Sequence, residues 1–444
     1  MRTSMAIMIC KSITFICHVF KKRGTVFPGK MARKVYRDTL KHISYPDKVI
    51  AVTGSSGKGS TVSLIARVLE KNGEKVVWNE SGSNVRTAIE TLVLNSSGIF
   101  SHKMNADVLL LEVDERYLDD ILEDGVITHL AITNITRDQP SRNISPDFIF
   151  EKIKNSIDPK STLILNVDDP FLNRLKYSHE GKVVAYGIDK TKYDVTKPNY
   201  AVDAAYCPSC SSKLKYTSYH YGHLGLYKCP VCSFGRGTLD YEARNVDLET
   251  FSFELDGSKV KLDKGAFFAV YYTTLAYAIL REIGLDKEEI LKAINEGSMS
   301  SKRGKVYEFE GRKIEMLESK NENNLSYIQS LNYIHLQKEP KTVVMGFENV
   351  SRRYRYNDLS WLWDIDFELL NSDVVEKIFL IGRFKYDVAV RLHYAGIDEA
   401  KIHLVEDITN LLDEVSEKSK SDIITMVCFD MTGVITDMLK ERQG

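Results

Sequence analysis

The 444-residue sequence contains seven cysteines, too few for a disulfide-rich scaffold. It also has no excess of charge of either sign, since 60 Lys and Arg residues face 61 Asp and Glu residues. A net charge of −1 provides no global basic field that would attract nucleic acid. The sequence lacks internal repeats and low-complexity segments, and 43% of its residues are hydrophobic. Its length predicts a globular protein of two to four domains.

The sequence also lacks an apolar run long enough to cross a bilayer. The apolar stretch at residues 5–20 is short and is interrupted by Lys11 and His18. A basic run, Lys21-Lys22-Arg23, follows it in place of a small-residue cleavage site. We expect residues 1–45 to form a helical segment that packs on the next domain. The alternative is weak contact between the basic run and anionic lipid, so that membrane contact is peripheral at most.

Short apolar runs typical of buried strands alternate with helical patterns along the rest of the chain. The strands are predicted at residues 49–52, 75–78, 106–113, 130–135, 161–167, 182–186, 342–345, 377–381 and 423–428. This alternation predicts α/β domains with parallel sheets. We place a first α/β domain at residues 46–298 and a second, Rossmann-like α/β domain at residues 299–444.

A glycine-rich loop lies between the first predicted strand and the helix that follows it. Loops of this kind turn backbone N–H groups toward a phosphate, and the helix N-terminus favours the negative charge. Lys58 is positioned to contact the β- and γ-phosphates of a nucleotide, and Ser60 or Thr61 to bind Mg²⁺, with Ser60 favoured. The residues predicted to bind ATP and Mg²⁺ here are Gly54, Ser55, Ser56, Gly57, Lys58, Gly59, Ser60 and Thr61.

A carboxylate lies at the end of another predicted strand. Glu112 lies at the carboxyl end of the strand predicted at residues 106–113. Ligands of open α/β sheets bind at that edge. The sequence therefore places Glu112 near the phosphate loop.

Four of the cysteines form two C-x-x-C pairs separated by 18 residues. This spacing predicts a zinc ribbon, inserted at residues 203–237, in which four thiolates close a structural tetrahedral site. The predicted ligands are Cys207, Cys210, Cys229 and Cys232. We expect nearby His220 and His223 to be structural or solvent-facing. The other cysteines, Cys10, Cys17 and Cys428, are expected to be small buried residues.

Several of these motifs resemble a known family. The short Gly-x-x-Gly-Lys loop resembles that of the Mur ligase superfamily, and its Gly59-Ser60-Thr61 ending is most similar to the folylpolyglutamate synthetase branch. The Asn134–Gln139 and Asn166–Pro170 segments, the four-cysteine insertion and the Asp-rich segment Asp358–Phe367 resemble the MurT family within it. The resemblance implies a central ATPase domain, the inserted ribbon and a MurT-type C-terminal domain.

The resemblance also implies an activity. MurT-type subunits form an acyl phosphate from ATP and amidate the stem-peptide glutamate of lipid II to isoglutamine. Their ammonia comes from a GatD-like glutaminase with which they form a heterodimer, and they act in the cytoplasm, at most at the inner face of the membrane. The implied cofactors are ATP, Mg²⁺ and structural Zn²⁺, with Glu112 at a second Mg²⁺. The resemblance also implies that Asn134 and Asp169 belong to the ATP- and Mg²⁺-binding site. An aspartate of the Asp-rich segment, Asp358 or Asp364, would complete the partner's Cys-His pair.

Some segments differ from the MurT pattern. The departures are at residues 140–142, 269–272, 322–324 and 430–432. They leave two other functions open: a ligase that adds an amino acid to another acceptor, and a nucleotide-binding scaffold without turnover.

Overall fold

The computed structural model describes residues 1–22, 24–80, 82–121, 125–137, 145–198, 202–262, 266–296, 306–319, 323–348 and 359–443. Residues 318, 319, 428–430 and 443 are described by their backbone alone. Within these ranges the chain forms two large sheets, each flanked by helices, and one separate hairpin.

Seventeen strands are present in the described ranges. They are β1 (Lys48–Thr53), β2 (Val76–Trp78), β3 (Val108–Glu112), β4 (His129–Ile132), β5 (Thr162–Asn166), β6 (Val183–Ile188), β7 (Lys215–Tyr221), β8 (Leu224–Lys228), β9 (Tyr241–Asp247), β10 (Ser252–Leu255), β11 (Ser258–Lys261), β12 (Val306–Phe309), β13 (Arg312–Ser319), β14 (Lys341–Gly346), β15 (Val375–Ile381), β16 (Ile402–Leu404) and β17 (Asp422–Cys428).

Twelve α-helices are described alongside them. They are α1 (Arg2–Val19), α2 (Phe27–Val35), α3 (Lys58–Lys71), α4 (Arg86–Ser96), α5 (Pro146–Asn155), α6 (Pro170–Asn173), α7 (Phe267–Glu282), α8 (Lys287–Asn295), α9 (Asn324–His335), α10 (Lys385–Tyr394), α11 (Leu411–Lys418) and α12 (Phe429–Gln443).

The first sheet has nine strands in the order β11-β10-β9-β6-β5-β4-β1-β3-β2. The strands from β2 to β9 in this order are parallel, as predicted, and β10 and β11 extend the sheet by antiparallel pairing. Successive side chains of β1 point to opposite faces of the sheet. Ile50 and Val52 enter the core under α3 and α7, whereas Val49 and Ala51 enter the core under α1 and α4. Burial on both faces explains why the strand reads as an uninterrupted apolar run.

The second sheet has six strands in the order β12-β13-β17-β14-β15-β16. All its pairings are parallel except that of β12 with β13. The limits predicted for the two domains remain a prediction, because residues 297–305, which precede β12, lie outside the described residues.

Helix α7 explains how the parts of the first domain are joined. Thirteen of its sixteen residues are buried, so it is apolar on every side. It packs against α3 and against β4, β5, β6 and β9. At its N-terminus, Phe267 and Tyr271 contact His220 and Tyr221 of the β7–β8 hairpin. The helix is therefore enclosed by the sheet, by α3 and by the cysteine-bearing insertion.

The N-terminal segment forms two helices on the first domain. Helix α1 contacts α2 and α4, and its buried residues Ala6, Ile7 and Cys10 join the core on that face of the sheet. In the described part of the chain, no helix combines the length and the apolar character needed to cross a membrane. Cys10 is buried as expected, but Cys17 is only half-buried, because it lies outside the buried stripe of α1. The side chain of Cys428 lies outside the described residues.

Candidate active site

The phosphate loop joins β1 to α3 at the carboxyl edge of the first sheet. Gly54 has φ +121°, and a Cβ there would lie 2.3 Å from Thr133 Oγ1 and 2.8 Å from the Asn134 carbonyl oxygen. Gly57, at φ +84°, is the residue from which α3 begins. Both glycines adopt backbone conformations that favour glycine, and the loop packs closely against the end of β4.

Lys58 is the first residue of α3 and is only 7% exposed. Its ammonium group donates to the Gly54 carbonyl and lies 3.2 Å from a carboxylate oxygen of Glu115, which is itself 3% exposed. A buried ion pair thus holds the lysine side chain against the phosphate loop. The sequence did not single out Glu115; its place two residues after the Glu112-Val113 strand end is the signal that could have identified it.

Glu112 lies beside the first turn of α3. A Cβ on Gly59 would be 3.1 Å from Glu112 Oε2, so glycine at this position leaves room for the carboxylate. The Asn79 side chain fixes the backbone here: its Nδ2 donates to the Glu112 carbonyl and its Oδ1 accepts from the Glu112 N–H, both at 2.8 Å. The structure therefore brings Glu112 to the phosphate loop and assigns Asn79 a positioning role that the sequence did not reveal.

The two candidate hydroxyl groups of the first turn differ in their surroundings. Thr61 is fully buried and its hydroxyl donates to the Gly57 carbonyl at 2.9 Å. Ser60 is half-buried. Ser60 as the hydroxyl that binds Mg²⁺ stays a prediction.

Asn134, just after β4, makes hydrogen bonds to the phosphate loop. Its Oδ1 accepts from the Ser56 N–H at 3.1 Å, its Nδ2 donates to the Ser56 carbonyl at 3.2 Å, and its own carbonyl accepts from the Ser55 N–H at 2.8 Å. Three hydrogen bonds to two consecutive residues fix the loop's conformation. Asn134 therefore positions the loop.

Asp169 is placed deeper than the sequence suggested. It is fully buried, and its carboxylate accepts from the N–H groups of Ile135 and Phe171, both at 2.8 Å, the second of which caps α6. His223 Nε2 lies 3.2 Å from Oδ1, the oxygen that accepts from Phe171. Burial disfavours protonation of His223, but the charge of Asp169 outweighs it and raises the pKa of the imidazole. Asp169 thus fixes the backbone of the segment that follows β4.

The preceding residue, Asp168, is the centre of a buried network. Its carboxylate accepts from the Ile188 N–H at 2.8 Å, from the Tyr271 hydroxyl at 2.7 Å and from the Arg236 guanidinium. Asp168 therefore connects β6, α7 and the end of the cysteine-bearing insertion. His220 lies beside it, with Nδ1 2.8 Å from Asp194 Oδ1. Because His220 and His223 are both buried, they are structural and not solvent-facing.

The four cysteines come together at the base of the β7–β8 hairpin. Their sulfur atoms all lie within 4.8 Å of one another, with Cys207 and Cys232 3.6 Å apart and Cys210 and Cys229 3.4 Å apart. A tetrahedral zinc with Zn–S bonds of about 2.3 Å requires sulfur atoms about 3.8 Å apart. A disulfide requires about 2.05 Å. The geometry fits a four-thiolate zinc ribbon and not a pair of disulfides.

The Asp-rich segment reaches the first domain through one ion pair. Arg137, just after β4, lies 2.7 Å from Asp364 in the second domain and 2.5 Å from Asp203 at the start of the insertion. Burial alone would lower the pKa of the Arg137 guanidinium, but the two carboxylates raise it. Three separate parts of the chain therefore meet at Arg137.

The remaining side chains of this segment have different environments. Trp361 is buried against Tyr327 and Phe347, whereas Trp363 is 54% exposed. Burial raises the pKa of Asp366 to about 6. Asp358 lies outside the described residues, as do the segments at 138–142 and 320–322.

Comparison with known proteins identifies the family. The Mur ligase middle domain model matches residues 52–228 and the MurT ligase C-terminal model matches residues 320–430. The lipid II isoglutaminyl synthase (glutamine-hydrolyzing) subunit MurT of Staphylococcus aureus strain N315 is 28% identical, with 90% of this chain and 89% of that protein covered. The subunit of the same name from Streptococcus pneumoniae strain R6 is 26% identical, with coverages of 100% and 98%.

The chain is a MurT-like member of the Mur ligase superfamily. It is accordingly an ATP-dependent ligase, and the family and fold class predicted from the sequence are confirmed. Solved structures agree on the fold: a pseudomurein peptide ligase type C from Methanothermus fervidus gives a TM-score of 0.67 at 19% identity, over 91% of this chain and 80% of that one. MurF ligase from Thermotoga maritima, in complex with ADP, gives 0.61 at 15%, with coverages of 94% and 85%.

Most of the groups described above lie within the segments that the two family models match. The phosphate loop, Glu112 and Asn134 lie within the segment matched by the middle-domain model, as do Cys207 and Cys210, whereas Cys229 and Cys232 fall just beyond its end. Asp364 lies within the segment matched by the C-terminal model. The Arg137–Asp364 ion pair therefore joins the two domains of this ligase near the phosphate loop.

Proposed function

We propose that the chain is the synthetase subunit that amidates the α-carboxyl of the stem-peptide glutamate of lipid II, giving isoglutamine. The observation that carries this proposal is the extent of the similarity: three subunits named lipid II isoglutaminyl synthase match 90% or more of the chain, including both domains. The phosphate loop and its flanking carboxylate supply the groups that such a ligase needs.

The proposed reaction has two steps. An oxygen of the substrate carboxylate attacks the γ-phosphorus of ATP and ADP leaves, which gives an acyl phosphate. The nitrogen of ammonia then attacks the acyl carbon, phosphate leaves, and the nitrogen loses a proton. The main contributions of the protein are orientation and neutralisation of the charge that develops on the phosphoryl oxygens. Lys58 supplies the cation, and Asn134 fixes the conformation of the phosphate loop.

The same loop has the ligands for Mg²⁺. The Ser60 hydroxyl and the Glu112 carboxylate are oxygen donors, the type that this cation prefers, on adjoining elements beside Lys58. Asn79 would keep the carboxylate in place through its two hydrogen bonds to the Glu112 backbone. Bound Mg²⁺ would neutralise phosphate charge. Zinc in the cysteine cluster would be structural, since four thiolates leave no open position.

Ammonia would come from a GatD-like glutaminase in a heterodimer. Five of the described cysteines are poorly suited to glutamine hydrolysis, because four form the cluster and burial raises the pKa of Cys10 to about 12. Of the two candidate aspartates for the partner's Cys-His pair, Asp364 already faces Arg137. We therefore favour Asp358 for that role. The protein would act in the cytoplasm, where ATP is present, at the inner face of the membrane that carries lipid II.

Reconstitution tests this function. The protein is incubated with lipid II, ATP, Mg²⁺ and ¹⁵N-labelled ammonium, and the stem peptide is examined by mass spectrometry. The expected result is one ¹⁵N amide on the glutamate α-carboxyl, and glutamine should replace ammonium only when the glutaminase is present. Addition of an amino acid would instead indicate the folylpolyglutamate synthetase-like activity that the Gly59-Ser60-Thr61 loop resembles. Nucleotide binding without any product would indicate a scaffold.

A further inference from the structure

We propose that helix α1 attaches this protein to the surface of an anionic lipid bilayer. The inference goes beyond the proposed amidation and does not depend on it, because it concerns a surface on the opposite side of the central domain's core from α3 and uses no substrate.

Helix α1 has two apolar faces. One is buried: Ala6, Ile7 and Cys10 are fully buried against the first domain. At about 100° per residue, the opposite face is a second apolar stripe. Its side chains are exposed to between 45% and 103% of their full area, and they are Met1, Met5, Met8, Phe15, Ile16, Val19 and Phe20.

This stripe is larger than the scattered exposed apolar residues that are normal on a protein surface. Seven large apolar side chains are exposed on one side of α1 and its two flanking residues, whereas isolated exposed hydrophobic residues need no explanation. Val26 and Phe27, at the start of α2, are also exposed, at 39% and 55%. A concentration of exposed apolar side chains of this kind indicates an interaction surface.

The charge around the stripe favours an anionic partner. Although the whole chain has a net charge of −1, its first 37 residues contain no aspartate or glutamate. They contain nine basic residues: Arg2, Lys11, Lys21, Lys22, Arg23, Lys30, Arg33, Lys34 and Arg37. Lys11 donates to the Asn95 carbonyl and Arg33 pairs with Glu90, but Lys21, Lys22, Lys30 and Lys34 are exposed. Exposed lysines beside an apolar stripe are typical of helices that lie in the interface of an anionic bilayer.

The same charges disfavour a second copy of the chain as the occupant. A symmetric dimer through α1 would bring two acid-free basic segments together, so like charges would repel across the contact. An anionic bilayer instead neutralises them and accepts the apolar side chains at the boundary between headgroups and acyl chains. The helix lies flat along the protein, an orientation that suits contact with a surface.

Cosedimentation of the full chain with vesicles tests the proposal. Binding is measured to vesicles of equal parts phosphatidylglycerol and phosphatidylcholine, and to vesicles of phosphatidylcholine alone. The expected result is binding to the first and at least tenfold weaker binding to the second. Phe15→Ser with Phe20→Ser should weaken binding at least tenfold, because two large apolar side chains no longer enter the interface. Lys21→Glu with Lys22→Glu should do the same through charge.

The control is Phe251→Ser, which removes an exposed phenylalanine from the turn between β9 and β10, near the other edge of the first sheet. It should leave vesicle binding unchanged. All variants should keep the thermal midpoint of the wild-type chain, since the substituted side chains are exposed. Equal loss of binding in the control, or equal binding to both vesicle types, would overturn the proposal. So would a dimer, detected by light scattering without lipid, that the Phe15 and Phe20 substitutions dissociate. If the wild-type chain binds the anionic vesicles but does not amidate lipid II, that result counts against the proposed function alone.

Discussion

Replacing Lys58 should affect both activity and stability, and the structure separates the two effects. Its ammonium group lies 3.2 Å from the Glu115 carboxylate, and both side chains are buried. Removing one member of a buried ion pair leaves an uncompensated charge and typically costs about 3–5 kcal/mol. Lys58→Met should therefore lower stability by about 3 kcal/mol, equivalent to roughly 6–12 °C in the melting midpoint of a domain of this size.

The activity loss has a different origin. Loss of one preorganised group that stabilises developing charge costs about 10²- to 10³-fold in kcat, or about 3–4 kcal/mol. Glu115→Gln in the Lys58→Met background removes the buried charge and should restore most of the melting midpoint. It should not restore ATP-dependent amidation, because the cation proposed to contact the phosphates is still absent.

Melting curves and ammonium-driven turnover of the four proteins in this cycle provide the test. A double variant that regains stability while remaining inactive supports the assignment of Lys58 to the phosphates. If the double variant instead regains activity along with stability, Lys58 acts through the fold and the phosphate-loop assignment is incorrect.

Three further predictions concern other parts of the structure. Cys229→Ser should lower both the zinc content, measured by elemental analysis, and the melting midpoint. The control Cys17→Ser, outside the cluster, should change neither, and zinc-free protein of normal stability would exclude a structural metal. Asp358→Asn should depress glutamine-dependent amidation while ammonium-driven amidation survives, and Asp364→Asn, which breaks the ion pair between domains, should depress both; the reverse pattern would assign Asp364 to the partner. Asp366→Asn should raise the free energy of unfolding by about 1–2 kcal/mol at pH 8. Burial raises the pKa of the wild-type carboxyl to about 6, so the wild-type protein loses stability as the pH rises from about 4 through 6 and this group ionises. The difference should vanish near pH 4 in melting curves, and a constant difference at all pH values would mean that this carboxyl is not the titrating group.

Much of the first sheet could be predicted because its strands are buried on both faces. Apolar runs such as Val49–Val52 cannot be accommodated elsewhere, so they identify strands and their parallel arrangement directly. The three strands β9, β10 and β11 were not predicted, since β10 and β11 lie at a sheet edge and carry polar residues such as Glu254 and Lys259. β9 packs against α7 and β11 packs against α8, and these are tertiary contacts that no local pattern records.

The candidate site shows a similar division. The phosphate loop could be read from the sequence because glycines, lysine and hydroxyl residues occur at fixed spacing between a strand and a helix. Glu115 and Asn79 were not singled out, since their roles arise from contacts with residues 57 and 33 positions away, and only the strand-end position of Glu115 pointed to one of them. Asp169 was placed near the nucleotide from its motif, yet its burial and its contacts to backbone N–H groups became visible only in three dimensions.

Oxygen transfer tests the central claim most directly. Lipid II labelled with ¹⁸O in the α-carboxyl of its stem-peptide glutamate is incubated with the protein, ATP, Mg²⁺ and ammonium, and the released phosphate and the peptide are examined by mass spectrometry. An acyl phosphate requires that one carboxyl oxygen leaves with the phosphate, so the prediction is one ¹⁸O per phosphate for every isoglutamine formed. Unlabelled phosphate, or labelled phosphate accompanied by an added amino acid in place of the amide, would contradict it.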